Sequence, residues 1–243
     1  MAVVKLSAAT GGTLWARSWG SSADEDPNGL AVDRYGDVTV TGKATGPTDL
    51  GGGLSSSGGI FVAKYSGADG SYKWAKVLGG TSGNGIATDP GTANIFVTGS
   101  FSGTVDFGGG AIGTSGNGGF FIAAYNATGN YLWAKAYGAS GDAGMGVSVD
   151  QSGNVAITGQ SQTALNFGSS WLFGSGNIVA NFTTAGAFRW ADRANNTSCG
   201  YGAAFDSNGH LLITGDFRAT LATGGISTTA RGYQDGFIAH YTE

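Results

Sequence analysis

The sequence is poor in charge, in proline and in cysteine. Charged residues make up 12% of its 243 residues, about half of the usual share. A disordered chain needs high charge and low hydrophobicity, and here 41% of the residues are hydrophobic, so disorder is excluded. The single cysteine, Cys199, excludes a disulfide within the chain.

Long basic and long apolar runs are also lacking. The net charge is −4 without a basic stripe, which argues against a nucleic-acid partner. No apolar run approaches the roughly 18 residues of a membrane helix, so we expect no membrane insertion. No signal-peptide pattern follows Met1. The low-charge surface, rich in Gly, Ser and Thr, is typical of exported bacterial proteins. We therefore expect a piece of a longer protein that is extracellular or at the cell surface.

Glycine, by contrast, is abundant, with 47 residues. A Gly-X-Y period is absent, which excludes collagen. No segment keeps a helical period over three turns. Glycine at this level fits many tight turns between short strands, so we predict an all-β protein.

Three independent markers repeat with a period near 58 residues. Trp-Ala pairs are spaced by 59, 59 and 57 residues, and Thr-Gly pairs by 57, 60 and 56. An aspartate precedes each Thr-Gly pair by 8 or 9 residues. The first residues of these markers are Trp15, Trp74, Trp133 and Trp190; Thr41, Thr98, Thr158 and Thr214; and Asp33, Asp89, Asp150 and Asp206.

Each unit divides into four strand-like segments, a to d, joined by turns rich in Gly, Asn and Asp. Four antiparallel strands in about 58 residues is the period of a β-propeller blade. We predict one propeller domain, 1–243, in which the repeated tryptophans lie in the core. Its units span 1–20 (c and d only), 28–78, 84–137, 145–193 and 201–241 (a, b and c only).

The second full unit carries a resemblance to a known family. Its segments Asp89–Gly99, Phe101–Gly110, Phe121–Tyr125 and Leu132–Lys135 resemble the bacterial seven-bladed-propeller (SBBP) repeats of large exported myxobacterial proteins. The resemblance covers the whole chain and implies a propeller without recognised catalytic residues.

The strand count has a consequence for assembly. Segment c occurs five times and the other types four times each, which makes seventeen strands, one more than four blades need. In a closed ring, strand d of the N-terminal unit completes the last blade, and Ala2–Leu6 and Phe237–Tyr241 compete for one position. We expect the C-terminal copy to win and the N-terminal copy to be displaced. The alternative is that N-terminal strands complete the ring of a partner chain, as a homo-oligomer.

The polar motifs favour structural roles over a catalytic or metal site. The Asp-x-x-Gly turns lack the further carboxylates of a calcium loop. The glycine clusters Gly51–Gly53 and Gly108–Gly110 precede no helix, so a phosphate site is not predicted. Neither His210 nor His240 has a second His or Cys nearby in sequence. Cys199, placed in a loop spanning 195–200, has no activating neighbour. We expect no enzyme, no cofactor and no Ca²⁺ or Zn²⁺ requirement.

The long connections b–c and d–a differ between units and emerge on one face of a blade. Variable loops on a rigid scaffold are where binding usually occurs, although drift in unconstrained loops is an equal alternative. The candidate ligand-binding residues on this face are Asp24, Asp26, Asp142, Trp171 and Tyr233.

Three functions stay open. The leading one is a non-catalytic binding or interaction scaffold for a protein or glycan. A lectin-like propeller is the second, and it should repeat its aromatic and acidic groups in each blade. The third is a purely structural, self-assembling role.

Overall fold

The computed structural model describes residues 1–195, 199–223 and 226–242, and these are all-β. The chain opens with a hairpin of β1 and β2 and continues with four blades. The hairpin comprises Ala2–Leu6 and Thr13–Ser18. No helix in the described part of the chain has the length and apolarity to cross a lipid bilayer.

The first three blades are four-stranded antiparallel sheets, and the fourth has three strands. Blade 1 comprises β3–β6, at Glu25–Val32, Val38–Ala44, Gly59–Tyr65 and Tyr72–Leu78. Blade 2 comprises β7–β10, at Ser82–Thr88, Ile95–Asp106, Ala111–Tyr125 and Tyr131–Tyr137. Blade 3 comprises β11, β12, β15 and β16, at Ala143–Val149, Asn154–Ser161, Gly176–Thr183 and Phe188–Asn195, with a side hairpin of β13 (Leu165–Asn166) and β14 (Trp171–Leu172). Blade 4 comprises β17, β18 and β21, at Cys199–Phe205, Leu211–Phe217 and Asp235–Tyr241, with a side hairpin of β19 (Thr220–Thr223) and β20 (Ile226–Thr229).

The predicted propeller of antiparallel four-stranded units is confirmed. Each blade begins two or three residues before the predicted unit. The reason is a bulge: the register shifts within every first strand, as between Gly83 and Gly85 or Gly144 and Gly146. A strand continues through such a bulge, whereas in the sequence the Gly-x-Gly pattern resembles a turn.

The core lies between blades, because blades 2 and 3 each bury one face against the blade before and the other against the blade after. Ile60 and Val62 of blade 1 pack against Ile86 and Phe121 of blade 2. The same arrangement recurs between blades 2 and 3 and between blades 3 and 4. Strands β3, β7, β11 and β17 form the inner row in which each packs against the next.

The repeated tryptophans clamp one blade to the next, which confirms that they belong to the core. The indole Nε1 of Trp74 donates to Ala127 O at 3.2 Å, in the c–d turn of the following blade. Gly129 in that turn has φ +83°, and a Cβ there would lie 2.8 Å from the indole ring. Trp133 repeats the arrangement with Thr184 O at 2.8 Å and with Gly186. The tryptophan and the turn glycine therefore recur together, because a side chain at the glycine position would collide with the indole ring.

In-chain closure by the N-terminal strand does not occur. Strand β2 pairs with β1, and β21 pairs with β18 but with no other described strand. The C-terminal copy holds the strand-c position of blade 4, whereas Ala2–Leu6 pairs with its own strand d, so displacement within a closed ring is not tested. A hairpin closes its own short loop at little entropic cost, and burial of Val3 and Trp15 against blade 1 adds to its stability. The partner-ring alternative stays a prediction.

Candidate binding cleft

The turn aspartates have the structural role that the sequence predicts. Asp33 Oδ1 accepts the amides of Tyr35 at 2.9 Å and Asp37 at 3.0 Å, and Gly36 between them has φ +81°. Asp150 and Asp206 bond their own turns in the same way. These carboxylates close hairpins, because they satisfy backbone amides that a tight turn would leave unpaired.

The b–c connections are less variable than their sequences indicate. Each b–c connection of blades 1 to 3 folds back as a hairpin. The tip of the hairpin buries one apolar residue against the core of the same blade: Leu50, Phe107 and Phe167. Asp106 Oδ1 accepts the amides of Gly108 and Gly110 at 2.7 and 3.0 Å. The glycine clusters thus belong to hairpin tips, and only the returning limbs differ strongly between blades.

Among the predicted ligand-binding residues, the three aspartates lie on d–a connections or at the start of a first strand. Asp24 and Asp26 are exposed, and Asp26 lies opposite Lys43 in the β3–β4 ladder. Asp142 is buried, and its carboxylate accepts hydrogen bonds from Ser161 Oγ at 3.0 Å and Thr163 Oγ1 at 2.7 Å. Asp142 therefore ties the d–a loop of blade 2 to the b–c segment of blade 3, and its ligand-binding role stays untested.

Of the two predicted aromatic residues, Trp171 begins β14 in the side hairpin of blade 3, and Tyr233 lies in the bend between β20 and β21 of blade 4. Trp171 is 56% exposed and stacks on Phe173, with ring centroids 5.8 Å apart. Tyr233 is 79% exposed, and the Arg218 guanidinium lies 4.5 Å from its ring centroid. Arg218 also donates to the Tyr233 hydroxyl at 3.0 Å. Trp171 and Tyr233 belong to different blades and are not in contact through any described ring interaction.

A polar cleft of about 670 Å³ lies between blades 3 and 4, where β12 and β18 end and β15 and β17 begin. We call it the interblade cleft. Its polar side chains come from both blades: Gln160, Ser161, Gln162, Ser175, Tyr201, Asp216, Arg218 and Gln234. Tyr233 contacts it through Arg218, so one predicted site residue lies at its rim.

Asp216 is the centre of the hydrogen bonding in the interblade cleft. Gln234 Nε2 donates to its Oδ2. A hydrogen bond with Asp216 raises the pKa of Tyr201 to about 12. The other oxygen, Oδ1, is buried and has no hydrogen-bond partner among the described residues. A buried acceptor without a partner costs free energy, so this oxygen is suited to a ligand that donates a hydrogen bond.

Cys199 is not a loop residue as predicted, because it begins β17 and lines the interblade cleft. Burial raises the pKa of its thiol to about 11, which keeps the thiol protonated at neutral pH. The absence of an activating group, inferred from the sequence, agrees with this shift. Residues 196–198 of the predicted loop lie outside the described residues.

The two histidines are distant from each other in the sequence, yet their rings lie 5.1 Å apart, centroid to centroid. Strand β21 pairs with β18, which begins directly after His210, and this places His240 beside it. Their separation of 30 residues hides the contact. The signal that could have identified the contact is the pairing of segments b and c within the fourth unit, which places His240 opposite Leu212, close to His210.

No model of a known protein family matches the chain, and no curated protein matches it. Solved structures with a similar arrangement include a protein of unknown function from Bacteroides caccae, with 12% identity and a TM-score of 0.48 over 90% of this chain. The chain spans 62% of that protein. The RRP9 WD40 repeats match at 12% identity and a TM-score of 0.46, over 91% of this chain and 69% of that one. BamB from Moraxella catarrhalis matches at 11% identity and a TM-score of 0.29, over 92% and 79%.

Proposed function

We propose that the protein is a non-catalytic binding scaffold, exported or at a bacterial cell surface as in the SBBP-type proteins that it resembles. Its ligand site is the interblade cleft, and the ligand is a glycan or a polar peptide. The observation that carries the proposal is the buried Asp216 Oδ1 without a described partner, at a site lined by amide side chains, one tyrosine and one arginine. Such groups bind hydroxyl and amide donors, and the rigid blades hold them in place.

The cleft supports a single site rather than one site per blade. At the position of Asp216, the other blades carry Lys43, Ser100 and Gln160, so the acid is present only in blade 4. A lectin that repeats its site in every blade is therefore disfavoured. A glycan-binding site of the single-cleft kind agrees with these residues as well as a peptide site does.

Asp216→Asn should weaken ligand binding about tenfold or more, because the amide presents a donor where the ligand also donates. The measurement is a glycan and peptide array, followed by titration of the best hit. Trp171→Ala is the matched control, since Trp171 is an exposed aromatic outside the cleft. Loss of binding in the control, with binding retained in Asp216→Asn, would move the site to the side hairpin of blade 3.

Self-association is a second candidate function, carried by an exposed blade face. Ile238 in β21 is 74% exposed, whereas its equivalents Val62, Ile122 and Val179 are buried between blades. In blade 1, at the other end of the row of blades, Leu30 and Val32 of β3 are exposed. Ile86, which is the equivalent of Leu30 in blade 2, is buried. Consecutive blades of this chain are joined by two such faces, one from each blade. The exposed face of blade 4 in one copy can therefore pack against the exposed face of blade 1 in a second copy. An apolar groove of about 790 Å³ along the open edge of β21 extends the first face.

The molar mass in solution should therefore exceed one chain, 24.3 kDa, at micromolar concentration. Ile238→Asp should return the mass to that of one chain, because a carboxylate cannot be buried unpaired at a blade interface. Phe173→Asp is the control, since Phe173 is also 74% exposed but lies on a side hairpin. Light scattering coupled to size exclusion gives the masses. A wild-type mass of one chain would reject self-association.

A further inference from the structure

Blade 4 brings Asp206, His210 and His240 together. One potential ligand atom of each lies within 4.8 Å of the others, and Asp206 Oδ2 lies 3.1 Å from His210 Nδ1. Asp206 and His210 are partly buried in the a–b turn, and His240 is exposed on the neighbouring strand β21. The cluster lies next to Ile238, at the opposite end of the blade from the interblade cleft.

The same three positions hold a cation in blade 1. There they are Asp33, Asp37 and Lys64, and the Lys64 ammonium lies 2.7 Å from Asp33 Oδ2 and 3.8 Å from Asp37 Oδ2. Lys64 is only 2% exposed. The backbone frame of blade 1 therefore accommodates a positive charge between the a–b turn and strand c.

Blades 2 and 3 keep the turn aspartate and fill the other two positions with neutral residues. In blade 3, Asn154 Nδ2 donates to Asp150 Oδ2 at 2.6 Å, and Asn181 takes the strand-c position. In blade 2 the strand-c residue is Ala124, and Thr92 Oγ1 donates to Asp89 Oδ2 at 2.8 Å. Blade 4 differs from the other three because it combines the turn aspartate with two imidazoles. Its strand-c residue is His240, where blade 1 has Lys64.

Two imidazoles and one carboxylate are a ligand set that suits Zn²⁺. Bonds of 2.0–2.1 Å to a tetrahedral ion place neighbouring ligand atoms about 3.4 Å apart. The Asp206–His210 pair is already close to that separation. His240 is exposed, so its side chain has room to rotate the remaining distance. A three-ligand site leaves one coordination position for water or for an outside group.

The geometry points to a divalent transition-metal site in blade 4, in which Asp206, His210 and His240 hold one Zn²⁺ ion. The ion replaces the lysine ammonium that occupies the equivalent site of blade 1. This inference is independent of the interblade cleft, because the two sites share no residue.

The test uses untagged protein, stripped of metal, and Zn²⁺ as the probe. The chain has only two histidines, so its NMR spectrum contains only two imidazole spin systems. One equivalent of Zn²⁺ should shift both, and calorimetric titration should show one site per chain. Because Zn²⁺ binds the folded state, it should also raise the melting temperature as its concentration increases. A shift of one imidazole only, or of neither, would overturn the site.

The chain itself supplies the variants. His240→Lys introduces the residue of blade 1, and His210→Asn introduces that of blade 3, so both are compatible with the repeat. Each should weaken Zn²⁺ binding at least about tenfold and abolish the rise in melting temperature. Lys43→Ala, which changes a residue of β4 in blade 1 outside the cluster, serves as the control that should leave the Zn²⁺ affinity unchanged. Unchanged Zn²⁺ affinity in both blade 4 variants would show that the ion binds elsewhere.

Discussion

Replacing Lys64 with alanine should lower the free energy of unfolding by about 3–5 kcal/mol, the usual cost of removing one partner from a buried ion pair. The Lys64 ammonium donates to Asp33 Oδ2 at 2.7 Å and to Ala127 O of the next blade at 3.1 Å. Without it, the Asp33 carboxylate stays buried and uncompensated, and blade 1 loses a bond to blade 2. Denaturant titration of both proteins measures the difference.

Lowering the pH should reduce the difference in the free energy of unfolding between the wild-type protein and Lys64→Ala. Burial raises the pKa of Asp33, but hydrogen bonds from Lys64 and from the amides of Tyr35 and Asp37 outweigh it and hold the pKa below its ordinary 3.8. Because the pKa of Asp33 is lower in the folded than in the unfolded protein, its ionised form stabilises the fold. This stabilisation is complete above the pKa of the unfolded state and is lost as the pH falls through the pKa of the folded state. In Lys64→Ala, protonation of Asp33 removes the unpaired charge, so the two proteins should converge below about pH 4.

Blade 3 suggests a rescue. There Asn154 occupies the position of Asp37 and donates to the turn aspartate. Adding Asp37→Asn to Lys64→Ala should therefore recover part of the lost stability. Lys43→Ala, which removes a lysine from β4 without a described ion pair, should change stability by less than about 0.5 kcal/mol. An equal loss in Lys43→Ala would show that lysine removal in general, and not the buried pair, destabilises the protein.

Trp133→Ala should cost about 3 kcal/mol, the lower end of the range for emptying a large aromatic site, because Trp133 is only partly buried. The change removes the packing on Phe96 and the hydrogen bond to Thr184 O. Thermal and denaturant unfolding are the measurements. Trp171→Ala is the matched control, since an exposed tryptophan should contribute within about 0.5 kcal/mol.

Gly186→Ala tests the same clamp from the other side. Gly186 has φ +84°, and its added Cβ would lie 2.8 Å from the Trp133 ring. Strain and the displaced ring should make it destabilising, by about 1–2 kcal/mol. A loss below 1 kcal/mol in Trp133→Ala would contradict the clamp and favour a role for these tryptophans in ligand stacking.

The elements that the sequence predicts well are local. The turn Asp33–Asp37 closes through its own aspartate and a glycine at positive φ, and both residue types are visible in the sequence. The strand segments were recognisable because β-branched and aromatic residues alternate with such turns. The sequence does not predict the side hairpin of blade 3, because its tip consists of glycine and polar residues with one buried apolar residue, Phe167.

Of the five residues that the sequence predicts to bind a ligand, one lies near the proposed interblade cleft, and the role of all five stays a prediction. Tyr233 lies at the rim of the interblade cleft, but Gln160, Tyr201 and Asp216 carry no sequence signal that separates them from other polar strand ends. The sequence shows Asp142 as a charged residue in a variable loop, and the fold buries that charge in hydrogen bonds between two loops. Burial of this kind depends on residues from two blades and is not visible in either one alone.

The sequence by itself determined the repeat, the four-stranded blade and the turns built from aspartate and glycine, because these follow from the periodic residue pattern and from turn chemistry within about 60 residues. The tertiary structure alone decided three features: that β2 pairs with β1 instead of closing the ring, that Asp216 lies in a cleft between blades, and that His210 meets His240. Each of these depends on competition between possible partners that are distant in the chain. Residue pattern specifies which segments can pair, whereas loop-closure entropy and burial between blades select the pairs that form.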